Sequence, residues 1–425
     1  MAKYRKWNID GPIHRIERSG SEVRELLLNA SQPPTLQLFP RSDGPGSSQD
    51  LLPFAAMGHR FPTRTADFRD ASWAWSSNSL RTPGACLDGA PIVFRALPAE
   101  DPDATEYFAP DFHKTPLSVR GEVPGRVEFF VNNILCQFGL QGVRIEADPM
   151  PAVYRGTGLG GSNLAHLAAL IFASSLSGTD LDLGQIFAGA TLLENFFGVE
   201  GDPSQHVSYG VSVTGGQESL TALQGGFYDN VHTPFFSGLF SVVSRELVAA
   251  ADYPELQRHL LLVNAGVSRT KGVSSSLINN QWMAQWRSLE GTALLMRLPE
   301  LAYRATEALR MKDWVEYAAV VKEYREVRVQ LCADYTTGQE ELAHICKDLE
   351  AEYFPLGAGT GTCLVVSPHA GAISEISQAF RPDPEANGAR NAIAFKVREQ
   401  GVDFLNFVES GLKIPNSPEL VTVTG

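Results

Sequence analysis

The stretch RGTGLGGSNL at 155–164 places Gly156, Gly158, Gly160 and Gly161 just ahead of a helical pattern in which Leu164, Leu167, Ala168 and Ile171 recur on one face. Glycines leave backbone N–H groups accessible and permit φ > 0, and a helix N-terminus adds partial positive charge, so together they suit a phosphate cradle. A tight structural turn has the same composition, and both readings stand on the residues alone. A Walker loop is excluded, because no Lys follows these glycines. Gly156, Gly158 and Gly161 also satisfy GxGxxG, with Asp180 or Asp182 about 20 residues on to bind a ribose. That fingerprint needs a strand running directly into the first glycine, whereas Pro149 and Pro151 intervene here, so a dinucleotide oxidoreductase is a rival and no more.

Three further segments follow the glycine loop in chain order: TGGQESLTALQGGFY at 214–228, LLVNAGVSRT at 261–270 and LGAGTGTCLVV at 356–366. With PAVYRGTGLGGSNLA at 151–165, they resemble the PxxxGLGSSxA loop, the GxQDQ...GG segment, the LLLFYTGxSR segment and the GAGGGG third motif of the GHMP small-molecule kinases. The likeness is greatest to the fucokinase and heptose-7-phosphate kinase branch of sugar kinases. Upstream, TPGACLDGAPIVFRAL at 82–97 is similar to the DTPPYCxExGGxVxNxAI stretch of that branch, with Arg81 in place of its Asp. The family's glycine-rich first motif is not visible in ASWAWSSNSL at 71–80.

The resemblance implies ATP and Mg²⁺ as cofactors and assigns roles residue by residue. Gly156, Gly158, Leu159, Gly160, Gly161, Ser162 and Asn163 would hold the nucleotide, joined by Gly357, Gly359 and Gly361 of the third motif. Ser162 would reach Mg²⁺, although a Ser there is also a good helix N-cap. Glu194, among the apolar residues of ATLLENFFG, would complete the metal site; the bland reading is a solvated helix carboxylate. Glu218 occupies the position of the family's Asp, the residue that accepts or orients the proton of the sugar hydroxyl, and is longer by one methylene. Gly216, Gln217 and Arg269 would contact substrate, Arg269 being equally suited to a surface ion pair. Thr360 and Thr362 replace glycines of the third motif. His166, on the helix after the loop, reads as a packed or half-exposed histidine rather than a catalytic one. The loop before Gln217, with His206 and Tyr209, is longer than the family pattern and reads as a substrate lid or as surface decoration.

Elements must bring these segments together. Val143, Ile145 and Ala147 alternate as in a strand, the apolar run at 259–264 reads as a buried strand, and Thr362 to Val366 as another. Residues 281–348 read as long amphipathic helices. Residues 31–60, rich in Pro, Gly and Ser, read as a loop-like segment after a short N-terminal extension. The expected organisation is an extension over 1–60, an ATP-binding unit over 61–250 and a second unit over 251–425. The resemblance implies a two-domain α+β fold: an S5-like first domain, a ferredoxin-like second one, and the active site between them.

Composition sets the outer limits. The chain has 425 residues, is 44% hydrophobic and carries a formal charge of −13, which excludes a disordered chain and disfavours nucleic-acid and anionic-membrane partners. No secretory leader is visible and no apolar run is long enough to span a bilayer, so a cytoplasmic location is expected. Five scattered cysteines without a CxxC pair read as reduced thiols, and nine histidines form no zinc motif. The expected function is ATP-dependent phosphorylation of a monosaccharide, sugar phosphate or related polyol. The alternative is a catalytically impaired descendant that binds sugar or nucleotide on the same scaffold. A homodimer is one assembly open to either.

Overall fold

The computed structural model describes residues 2–7, 14–15, 18–46, 80–109, 117–118, 131, 134–149, 161–197, 217–234, 240–265, 281, 284–285, 288–356, 361–381 and 390–423. Strands are numbered in chain order. One six-stranded sheet has the order β18 (Glu419–Val423), β1 (Ala2–Trp7), β12 (Phe240–Val248), β11 (Phe227–Pro234), β5 (Leu80–Cys86) and β4 (Arg41–Asp43). A second has the order β17 (Asp403–Leu405), β3 (Thr35–Leu38), β6 (Ile92–Pro98), β9 (Val143–Ala147), β7 (Thr105–Phe108) and β8 (Leu117–Ser118). In it β7 runs parallel to β9, while the other pairs are antiparallel. A two-stranded ladder joins β2 (His14–Arg15) to β10 (Thr179–Asp180).

The third sheet has the order β14 (Glu352–Pro355), β15 (Thr362–Val366), β13 (Leu260–Ala265) and β16 (Arg390–Ala394). Between β13 and β14 lie the helices Leu289–Met311, Trp314–Leu331 and Glu340–Asp348, and between β15 and β16 lies Ala370–Ala379. The βαββαβ progression with central strands β15 and β13 is ferredoxin-like, as expected. The run LLLV of β13 is apolar throughout because both faces are buried: Leu260 and Leu262 join the main core, while Leu261 and Val263 join a smaller core with Cys363, Val365 and Ile373.

Helices are numbered likewise: α1 is Gly20–Asn29, α2 Gly161–Ser177, α3 Leu183–Phe197 and α4 Gln217–Gln224; α5 is Tyr253–His259, α6 Leu289–Met311, α7 Trp314–Leu331, α8 Glu340–Asp348 and α9 Ala370–Ala379. From Leu164 to Leu176, α2 is buried on every side, which explains its nearly unbroken apolar sequence. The joint between α6 and α7 is short because Lys312 takes a left-handed conformation (φ 56°) and the Asp313 side chain caps α7 by accepting from the Glu316 N–H. No helix among the described residues is long and apolar enough to cross a membrane.

The loop-like reading of residues 31–60 fails over 35–43. Thr35–Leu38 pairs with β6, and Arg41–Asp43 pairs with β5. Pro and Gly punctuate these two short strands and hide them from a periodicity count. Residues 2–7 also enter a sheet: β1 is inserted between β12 and β18, and Trp7 is buried. The C-terminal segment likewise returns to the first two sheets as β17 and β18.

Candidate functional site

Gly161 opens α2, so the glycine run ends where the first backbone N–H groups of a helix lack intrahelical partners. The first turn carries no acidic residue, leaving the positive end of the helix dipole available to an anion. Gly161, Ser162 and Asn163 are the first three residues of this helix. Gly156, Gly158, Leu159, Gly160, Gly216, Arg269, Gly357 and Gly359 lie outside the described residues, as do His206, Tyr209 and Thr360.

α2 and α3 are consecutive, packed against one another and joined through 178–182, so they run antiparallel. That arrangement puts Ser162, in the first turn of α2, and Glu194, in the last turn of α3, at the same end of the hairpin. A hydroxyl and a carboxylate are the hard oxygen donors that Mg²⁺ takes alongside phosphate and water, so the donor set fits the ion. A helix N-terminus with no acid in its first turn fits a nucleotide phosphate by the same test.

Asp180 and Asp182 sit at the opposite end of the 17-residue α2, about 25 Å from its N-terminus. Both are engaged there. Asp180 Oδ2 accepts from Lys413 Nζ at 2.6 Å, and Asp182 Oδ1 accepts from the Gln185 N–H at 2.9 Å as α3 begins. The dinucleotide reading thereby loses its ribose-binding acid.

Gln217 and Glu218 open α4, which packs on α2 and α3 and against β4, β5 and β11. From Ser219 onward α4 is buried. Gln224 Nε2 donates to Asn230 Oδ1 at 2.9 Å, Ser244 Oγ donates to the same oxygen at 2.8 Å, and Trp7 Nε1 donates to Ser244 Oγ at 2.9 Å. The helix bearing Glu218 is thus wired through the sheet to the N-terminal strand, a dependence that sequence reading missed.

Arg41 and Asp43 were also missed. They form a buried ion pair on β4, on the strand that α4 touches, and Asp43 faces Gly84 across the ladder. A Cβ on Gly84 would stand 2.5 Å from Thr221 Oγ1 of α4. The following glycines are enclosed too: Tyr324 of α7 donates its hydroxyl to the Gly46 carbonyl at 3.1 Å, and a Cβ on Gly44 would meet the Tyr317 hydroxyl at 3.0 Å. Helix α7 therefore closes over the chain leaving β4. The available signal was the pair of opposite charges two residues apart, ahead of Gly44 and Gly46.

The remaining candidates resolve individually. His166 is buried, and desolvation pushes its imidazole down to about 4, as expected of a neutral core histidine. Gly361 has φ 90°, a conformation that calls for glycine, whereas Thr362 is the first residue of β15 in regular register with Asn264. Extended backbone accommodates its Cβ, so the replacement at 362 does not distort the strand.

No protein-family model and no curated protein matches this sequence. Solved structures do. The galactokinase of Lactococcus lactis, in complex with galactose, superposes with a TM-score of 0.56 at 10% identity, covering 91% of this chain and 98% of its own. The mevalonate kinase of Methanococcus jannaschii gives 0.53 at 13% identity, over 87% and 99%. A D-glycero-D-manno-heptose 1-phosphate kinase of Bacteroides thetaiotaomicron gives 0.51 at 14% identity, over 87% and 98%. The chain has the GHMP kinase fold. At these identities the likeness is one of fold, and the chemistry has to come from the site.

Proposed function

We propose that this protein is an ATP-dependent kinase that phosphorylates a hydroxyl group of a monosaccharide, sugar phosphate or related polyol. The observation that carries the reading is the α2–α3 hairpin, with a glycine run entering a helix N-terminus free of acids and Ser162 and Glu194 at that same end. When bound, Mg·ATP supplies the phosphoryl group and part of the charge neutralisation. The chain's own tasks are positional and electrostatic. Backbone N–H groups of Gly156, Gly158, Leu159, Gly160, Gly161, Ser162 and Asn163 would hold phosphate oxygens, joined by Gly357, Gly359 and Gly361 of the second glycine segment. Ser162 and Glu194 would ligate the cation. Glu218 accepts or orients the proton of the acceptor hydroxyl, which Gly216, Gln217 and Arg269 hold in line.

A sugar acceptor is supported by the order of the sequence motifs and by two fold neighbours described as a galactokinase and a heptose 1-phosphate kinase. The fucose and heptose branch is the finer assignment. Purified protein incubated with ATP, Mg²⁺ and a panel of monosaccharides, sugar phosphates and polyols should release ADP with at least one acceptor. Saturable ATP binding without acceptor-dependent ADP release would instead identify a binding protein on a kinase scaffold.

A further inference from the structure

The C-terminal end of α4 is held by a distant part of the chain. Gly225 and Gly226, with φ of 69° and 71°, turn the chain from α4 into β11. The Gly226 N–H donates to the Arg398 carbonyl at 2.7 Å, the Arg398 N–H to the Cys86 carbonyl at 2.9 Å, and the Cys86 N–H to the Gly226 carbonyl at 2.9 Å. This ring of backbone bonds ties α4 to β5 and to the segment after β16. The contact is close enough to exclude any side chain. A Cβ on Gly225 would lie 2.4 Å from the Glu399 carbonyl oxygen, and one on Gly401 would lie 2.3 Å from that of Leu223 and 2.7 Å from that of Ala222.

Arg398 anchors the segment in turn. Its Nη2 donates to Asp403 Oδ2 at 2.7 Å, and its guanidinium lies 3.7 Å from the centroid of the Phe39 ring, in the link between β3 and β4. One segment therefore grips β5, the approach to β4 and the end of α4.

We infer that Arg398 to Gly401 is a positioning clasp for the reaction, setting where α4 ends and hence where Glu218, at its other end, stands relative to the phosphate-binding helix. The inference rests on the role proposed for Glu218. An eight-residue helix is short and stiff, so a displacement at Leu223 is transmitted to Glu218. Gly401 is an informative probe because its own φ is not left-handed. An alanine there meets no left-handed backbone penalty, and its Cβ pushes on α4.

Gly401→Ala should lower kcat about a hundredfold, the cost of roughly an ångström of misplacement, leave KM for ATP unchanged, and accelerate amide hydrogen exchange in 219–224. Gly139→Ala is the control: Gly139 has φ 69° with nothing within 4 Å of a Cβ, so it loses stability without touching α4. Its kcat and its exchange in 219–224 should match wild type. If Gly401→Ala does not fold, Arg398→Gln loosens the clasp without adding atoms and should produce the same changes to a smaller degree. Unchanged exchange in 219–224 in the folded variants would overturn the inference, as would an equal loss of kcat in Gly139→Ala. If wild type shows no acceptor-dependent ADP release, the kinase reading fails while the exchange measurement still decides the clasp.

Discussion

Arg81 Nη1 donates to Asp229 Oδ2 at 3.2 Å, from β5 to β11, on a carboxylate only 1% exposed. Burial pushes the Asp229 carboxyl above its ordinary range, opposed by Arg81 and by Arg245, its direct partner across the β11–β12 ladder. The Arg81 guanidinium also lies 5.3 Å from the Tyr303 ring centroid of α6. Arg81 is therefore committed to docking α6 on the sheet.

Removing either partner leaves a poorly compensated buried charge. Arg81→Met and Asp229→Ala should each destabilise by about 3 kcal/mol in urea unfolding, and the double variant should cost about 1–3 kcal/mol less than their sum. Simple additivity would show that the two do not interact.

His166 predicts an acid-sensitive fold. Its imidazole titrates near 4 when folded and near 6.5 when unfolded, so between these values the unfolded chain binds the extra proton and stability falls as pH falls. The loss between pH 7 and 5 should be about 2 kcal/mol, read from denaturation midpoints. His166→Leu should flatten that dependence; an equally steep profile would place the sensitivity elsewhere.

Ser162→Ala and Glu194→Gln should both raise the Mg²⁺ concentration needed for half-maximal ADP release and lower kcat/KM, while thermal unfolding stays within a few degrees of wild type. Full activity with unaltered Mg²⁺ dependence in both would remove these residues from the metal site.

Glu218→Gln should lower kcat by about 10²- to 10⁴-fold, the usual contribution of a general acid–base group, with little change in nucleotide affinity. Glu218→Asp moves the oxygens back by about 1.5 Å, one C–C bond. A further loss of kcat would show a pocket shaped around the longer side chain, and a gain would show one still shaped for Asp. If kcat is unchanged in both variants, another group handles the proton.

Local sequence determined a good deal about this protein. The helix after the glycine loop and the strand at 362–366 were legible from the period and composition of their runs, and the strand read at 259–264 is present at 260–265, His259 closing the preceding helix instead. The resemblance of the ordered glycine segments to the GHMP kinase motifs is what anticipated the two-domain fold.

Tertiary structure decided what depends on pairing between distant segments. Nothing within residues 2–7 says that they lie between strands 240–248 and 419–423, because a ladder is specified by the partner's register as much as by the strand itself. Arg41 and Asp43 look like solvated charges until β5 and the nearby helices enclose them, and Gly401 looks like a loop residue until the carbonyls of α4 arrive beside it. In each case a local pattern names the residue's chemistry, while its surroundings are assembled from segments distant in the chain.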